Sequence, residues 1–336
     1  MYHTIYLLDI QNKKKISEGA VLYSADSYFI FCLKKLNYVN FMTLEELIEN
    51  KFNCNNLLIS GSRYYNKFIN YLNIKDIKLS KNVNIFILKT GGIHGKILHT
   101  NLNINIISTY SYALNLYYNN YYKNFWFPHM IRYKVNFNSN PINKILISGA
   151  ITSKKNKRLN ISTYPNREMM IEKSKNNKYL EYFPRQKVSK KNINENHIFG
   201  KKYIELLNKY KVCFTDDATK TRPYIVAKFF EIMSSGSLLL SINPNTKKYF
   251  EKLGFIDKIH YISATVENID EKIKYIFDDK NKDLINTIRK NGYEKVYKYH
   301  TIDCRTTQLN KILNEKLEDF TLCKDGIAGS EYYIYK

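Results

Sequence analysis

The run KFFEIMS, residues 228–234, places a lysine and a glutamate three residues apart on an otherwise apolar segment. Ser235-Gly236 then breaks it before the leucines of LLLS. Side chains at that spacing share one face of a helix. A carboxylate there can accept hydrogen bonds from two neighbouring sugar hydroxyls, and a fixed cation can neutralise a diphosphate. Glu231 suits the first task and Lys228 or Arg222 the second, while Gly236 lets the backbone approach where a side chain would collide. A helix beginning near Pro223 or Tyr224 would put Arg222, Lys228 and Glu231 in its amino-terminal part, where free N–H groups and the helix dipole favour phosphate. The same spacing also fits an exposed Lys–Glu pair followed by a helix-ending glycine.

Other chemistries find less support. There is no Gly-x-x-x-x-Gly-Lys-Ser/Thr, and GGIHG at 91–95 lacks the spacing of a dinucleotide-binding glycine loop. Asp216-Asp217 and Asp278-Asp279 are adjacent pairs rather than Asp-x-Asp, so a site without metal is expected. The cysteines at 32, 54, 213, 304 and 323 are odd in number and widely spaced, which points to buried thiols rather than disulfides or zinc ligands. Among the histidines, His94 in the glycine-rich turn is the first candidate for a general base and His129 the second. His3, His99, His197 and His260 have no comparable context.

These residues need elements to hold them. Short apolar runs alternate with helix-like segments along the chain, the pattern of parallel sheets covered by helices. Strands are expected at 4–8, 57–60, 84–88 and 104–108, with helices at 25–36 and after a Thr43/Glu46 capping box. The polar stretch NFNSNPIN, 136–143, marks a boundary between a first domain over 1–140 and a second over 141–310, followed by a helix or tail at 311–336. In the second domain strands are expected at 144–148, 212–215, 237–241 and 258–262, and helices at 167–173, 225–234 and through most of 266–320.

With 53 basic and 30 acidic residues the formal charge is +23, which gives a weak electrostatic attraction to nucleic acid or an acidic membrane surface. Only eight of the basic residues are arginine; Lys, Asn, Ile and Tyr dominate, as in A/T-rich genomes such as those of large viruses and intracellular parasites. That vocabulary also accounts for much of the aromatic content, including the cluster Tyr117, Tyr118, Tyr121 and Tyr122. No segment approaches 18 uninterrupted apolar residues and the first residues lack a signal-peptide pattern, so a cytoplasmic protein is expected, in the host cytoplasm if viral.

The segment KFFEIMSSGSLLLS resembles the signature of the GT-B glycosyltransferases of the glycosyl transferases group 1 family, in particular the proteins related to spore-maturation protein CgeB. In order along the chain, ILISG at 145–149 resembles their first strand and glycine turn, Tyr164-Pro165-Asn166-Arg167 their Tyr-Pro-x-Arg element, and Gly292, His300, Thr301 and Arg305 their closing pattern. FILKTGGIHG and NFWFPH resemble the family more loosely. The resemblance implies an α/β fold of two Rossmann-like domains facing across a cleft, with a UDP- or GDP-linked sugar as substrate and no cofactor. Gly149, Arg167, Arg222, Lys228, Glu231, Ser235 and Gly236 would bind the donor, and the acceptor would be a glycan, lipid or protein. Where related retaining enzymes carry a second glutamate, eight residues before the one matching Glu231, this chain has Pro223. A DNA-modifying glycosyltransferase of the same fold and a non-catalytic nucleotide-sugar-binding module are the alternative readings.

Overall fold

The structure, a computed structural model, describes residues 4–7, 27–80, 82–89, 102–109, 123–149, 164–184, 198, 200–216, 225–324 and 331–336. The turn at 91–95 with His94, the tyrosine cluster at 117–122, Arg222 and Pro223 lie outside them. The chain divides into two compact units, Met1–Pro128 with Ile302–Lys336, and His129–Thr301.

The first unit begins with β1 (Thr4–Leu7), α1 (Ser27–Lys34), β2 (Val39–Met42), α2 (Leu44–Glu49), β3 (Asn56–Ser60), α3 (Gly61–Ile74), β4 (Asn84–Lys89), β5 (Asn103–Ser108) and β6 (Lys123–Trp126). These strands pair in parallel in the order β6-β5-β4-β3-β1-β2. Leu57, Leu58 and Ile59, like Ile85 to Leu88, are all buried, as strands covered on both faces must be. The capping box forms as expected: the Glu46 backbone N–H donates to Thr43 Oγ1 at 3.3 Å and the Thr43 N–H to Glu46 Oε2 at 2.7 Å.

At the amino ends of this sheet Thr4, Asn56, Asn84 and Asn103 stand opposite one another on successive strands. Asn56 Nδ2 donates to Thr4 Oγ1 at 3.3 Å, Asn84 Nδ2 to Asn56 Oδ1 at 3.4 Å, and Asn103 Nδ2 to Asn84 Oδ1. The ladder is also tied to the end of the chain, because Asn56 Nδ2 donates to the Leu313 carbonyl at 3.0 Å and Asn84 Nδ2 to Glu315 at 2.9 Å.

The second unit contains β7 (Ile142–Gly149), α4 (Pro165–Ser174), β8 (Leu180–Pro184), α5 (Lys201–Asn208), β9 (Tyr210–Asp216), α6 (Ala227–Ser234), β10 (Leu238–Ile242), α7 (Lys247–Lys252), β11 (Ile262–Ala264), α8 (Ile269–Phe277) and α9 (Lys282–Tyr299). Its parallel strands lie in the order β11-β10-β9-β7-β8. Ile145, Ile147, Val212, Phe214, Leu238 and Leu240 join Met170 of α4 and Ile273 of α8 in one apolar core. Gly292 permits the close passage of α9, since a Cβ there would collide with the His260 carbonyl oxygen.

Two boundaries differ from the sequence reading. Helix α6 starts at Ala227, not near Pro223 or Tyr224, because Val226 is extended at ψ 154° and acts as the N-cap. The strand expected at 258–262 occupies Ile262–Ala264 instead, because Lys258 takes a left-handed φ of 63° and the chain turns there.

The closing segment also differs. Beyond α9 come α10 (Ile302–Leu313), β12 (Phe320–Cys323) and β13 (Tyr332–Tyr335), all within the first unit. Thus 311–336 is not only a helix or tail: β12 and β13 pair antiparallel, and β13 runs parallel to β6. Phe320, Tyr332 and Ile334 turn their side chains inward, which gives this polar-looking stretch a buried face. Arg305 of α10 donates to the Pro128 carbonyl at 2.9 Å and Gln308 to the Trp126 carbonyl at 2.8 Å, fixing the helix against the end of β6.

Candidate functional site

In the second unit the crossover from β7 leads to β8 on one side, and the chain then returns to β9 on the other side of β7. In open parallel sheets the crevice beyond the carboxyl ends of the strands at such a switch point is where ligands bind. Here those ends are Ser148 and Gly149 of β7, and Thr215 and Asp216 of β9. The starts of α4 and α6 bring Arg167, Lys228 and Glu231 to the same place.

Lys228 is partly buried in the first turn of α6, where its Nζ donates to the Ser148 carbonyl at 2.7 Å and lies 5.3 Å from the centroid of the Tyr203 ring. Gly149 makes this contact feasible. Its φ of 113° strains any side chain, and a Cβ there would collide with the Lys228 ammonium. The Tyr203 hydroxyl and Ser148 Oγ are hydrogen-bonded at 2.9 Å. Burial, reinforced by the neighbouring Arg167 charge and partly offset by Glu231, lowers Lys228 to a pKa of about 7.

Arg167 follows Pro165 at the beginning of α4 and is 3% exposed. Its Nη2 donates to Asp216 Oδ1 at 2.9 Å and to Thr215 Oγ1 at 3.2 Å, and its backbone N–H donates to Asp216 Oδ2 at 3.1 Å. The guanidinium carbon sits 4.1 Å from the centroid of the Tyr164 ring. Burial raises Asp216 to a pKa of about 6 despite the opposing charge of Arg167.

Glu231 stands one turn beyond Lys228 on α6 and is partly buried. Burial raises its pKa, and the charges of Lys228 and then Arg132 oppose the rise. Among the described residues its carboxylate accepts no side-chain hydrogen bond, so it retains acceptor capacity beside two cations.

The remaining sequence candidates have other surroundings. Ser235 is buried at the end of α6, where its Oγ donates to the Ile232 carbonyl at 2.7 Å. Gly236, at φ 81°, faces Phe137, whose ring atom would be 3.1 Å from an added Cβ, and its carbonyl accepts from Arg289 Nε at 3.1 Å. The room left by this glycine is therefore used by the protein's own core. His129 is 8% exposed at the first residue of the second unit, while His94 and Arg222 lie outside the described residues. Sequence reasoning missed Tyr203, Arg132 and the engagement of Asp216. The one available signal was the position of Asp216 at the end of an apolar strand. Among the described residues no group of three or more His, Cys, Asp or Glu side chains is placed to hold a metal ion, and no helix is long and apolar enough to cross a membrane.

Residues 158–311, most of which belong to this unit, match a family model described as glycosyl transferase-like. No curated protein matches the chain. Among solved structures, a glycosyltransferase from Rickettsia africae ESF-5 superposes with a TM-score of 0.56 at 12% identity, covering 95% of this chain and 99% of that one. Anabaena Alr3699/HepE, solved in complex with UDP and glucose, gives a TM-score of 0.52 at 9% identity over 94% of this chain and 100% of its own. At these identities the likeness establishes the fold, which is that of the GT-B glycosyltransferases.

Proposed function

We propose that this chain, glycosyl transferase-like over 158–311 and GT-B in fold, moves a sugar from a nucleoside diphosphate donor to a hydroxyl-bearing acceptor without a metal ion. The observation that carries the reading is the meeting of two buried or half-buried cations, Arg167 and Lys228, with the Glu231 carboxylate at the β7/β9 switch point. Glu231 accepts hydrogen bonds from two ribose hydroxyls. Lys228 and Arg167, with Arg222, face the diphosphate. As the sugar–phosphate bond breaks, negative charge accumulates on the departing diphosphate, and preorganised cations in a water-poor site stabilise it as a metal ion does elsewhere.

For a transfer that inverts the anomeric centre, the acceptor hydroxyl gives its proton to a base, for which His94 is the first assignment and His129 the second. The acceptor is a glycan, a lipid or a protein, and the donor sugar is carried on UDP or GDP. Binding of UDP by the Anabaena protein of similar fold supports trying UDP-sugars first.

The reading is tested by incubating the protein with UDP- and GDP-sugars and following nucleoside diphosphate release. Wild-type protein should release it slowly by hydrolysis and faster with an acceptor, and Glu231→Ala should weaken nucleotide binding about tenfold or more, since each hydrogen bond to a charged group is worth about 1.5–3 kcal/mol. Absence of nucleotide binding, together with an unaltered Glu231→Ala protein, would overturn it.

A further inference from the structure

The Lys228 ammonium is partly buried, yet among the described residues no carboxylate comes within ion-pair distance of it. Its partners are the Ser148 carbonyl, at 2.7 Å, and the Tyr203 ring, whose centroid is 5.3 Å from Nζ. Withdrawing an ammonium from water without an opposite charge destabilises a fold, so stability alone does not account for this cation. An ammonium carries three N–H donors, of which the Ser148 carbonyl engages one. Tyr203 reaches the place from the first turn of α5. Its hydroxyl and Ser148 Oγ are hydrogen-bonded at 2.9 Å, so the ring that backs the ammonium is tied to the residue whose carbonyl receives it. On another side Gly149 comes so close that a Cβ would collide with Nζ. Burial, with the Glu231 charge adding to it, pushes the Tyr203 phenol far above its usual range, so the hydroxyl keeps its proton and the ring stays neutral.

We propose that Tyr203 is a positioning residue for donor binding: its ring, and its bond to Ser148, hold the Lys228 ammonium ready beside Gly149 to receive the donor's diphosphate. The inference rests on the reading of the switch point as a nucleoside diphosphate site. Tyr203 acts through Lys228 rather than on the ligand, since its hydroxyl is turned to Ser148 and its ring to the ammonium. A lysine side chain left to itself samples many rotamers, and fixing it beforehand removes that entropic cost from binding. An aromatic face attracts a cation without neutralising it, so the positive charge is left for the diphosphate. A carboxylate in the same place would instead pair with Lys228 and repel the ligand.

The test is calorimetric titration of wild-type, Tyr203→Leu and Tyr203→Phe proteins with UDP and GDP, and with uridine and guanosine, which lack the diphosphate. In Tyr203→Leu the affinity for the preferred diphosphate should fall about tenfold, while that for its nucleoside changes by less than about twofold. Tyr203→Phe keeps the ring and loses only the bond to Ser148, so its loss should be about threefold, again for the diphosphate alone, and it carries the test if Tyr203→Leu does not fold. In a Lys228→Met background neither substitution should produce a further loss of diphosphate affinity, because Tyr203 acts through that ammonium. Equal weakening of nucleoside and diphosphate, a Tyr203→Phe protein as weak as Tyr203→Leu, a loss that persists without Lys228, or no change at all would overturn the positioning role. A wild-type protein that binds neither diphosphate better than its nucleoside would instead overturn the underlying reading of the site.

Discussion

The two parallel sheets share a wiring plan but spend their polar side chains at opposite ends. In each, the second strand lies to one side of the first and the third to the other, giving switch points at β1/β3 and β7/β9. The first sheet gathers asparagines at its amino ends, where Asn56, Asn84 and Asn103 bond across the strands and to residues 313 and 315. The second gathers Arg167, Asp216, Lys228 and Glu231 around its carboxyl ends. Neutral amides satisfy one another and hold strands in register, whereas mutually perturbed charges do neither job economically. The comparison therefore assigns fastening to the ladder, and the proposed function places its chemistry at the charged cluster.

The largest effect that can strain this contrast comes from Arg167→Ala, which leaves Asp216 buried without its cation. It should cost about 3–5 kcal/mol in urea unfolding and weaken diphosphate binding as well. Gly149→Ala comes next. Left-handed strain and the collision with Lys228 should cost about 1–3 kcal/mol, and loss of transfer activity should exceed what the stability change explains. In the ladder, Asn84→Ala should cost about 1 kcal/mol and leave nucleotide affinity unchanged. A change in affinity there would erase the distinction between the two sheets.

A further expected effect is one of pH. Lys228 titrates near 7 in the folded protein, whereas an unfolded lysine titrates at about 10.4. Between those values the unfolded chain binds more protons, so this group's contribution to stability grows as pH rises through the window and is lost as pH falls through 7. A diphosphate prefers the charged form, so its affinity should move the other way, weakening by up to about tenfold per pH unit above 7. In Lys228→Met that slope should flatten.

Much of this was readable from the residues. Unbroken apolar runs such as NLLIS and LLLSI specify doubly covered strands, and Thr43 with Glu46 announces a helix start. Lys228 and Glu231 were visible by spacing, and Arg167 and Gly149 through resemblance. Asp216 was not, because as one of two adjacent aspartates it lacked metal-ligand spacing. Its partner lies 49 residues away in sequence and meets it only when the carboxyl end of β9 reaches the start of α4. Gly236 illustrates the converse: glycine at a helix end suggested space for a ligand, yet Phe137 occupies that space. The pairing of β13 with β6 escaped notice because the whole second unit lies in sequence between the paired Phe125 and Tyr333, and short-range pattern carries no trace of such pairing.

The most direct measurement of the central claim is hydrogen–deuterium exchange with and without saturating UDP or GDP. Nucleotide should slow exchange at the amides of 164–170 and 225–231, which flank Arg167, Lys228 and Glu231, and leave 56–60 and 84–88 in the first sheet unaffected. Protection confined to the first unit, or none with either nucleotide, would contradict it.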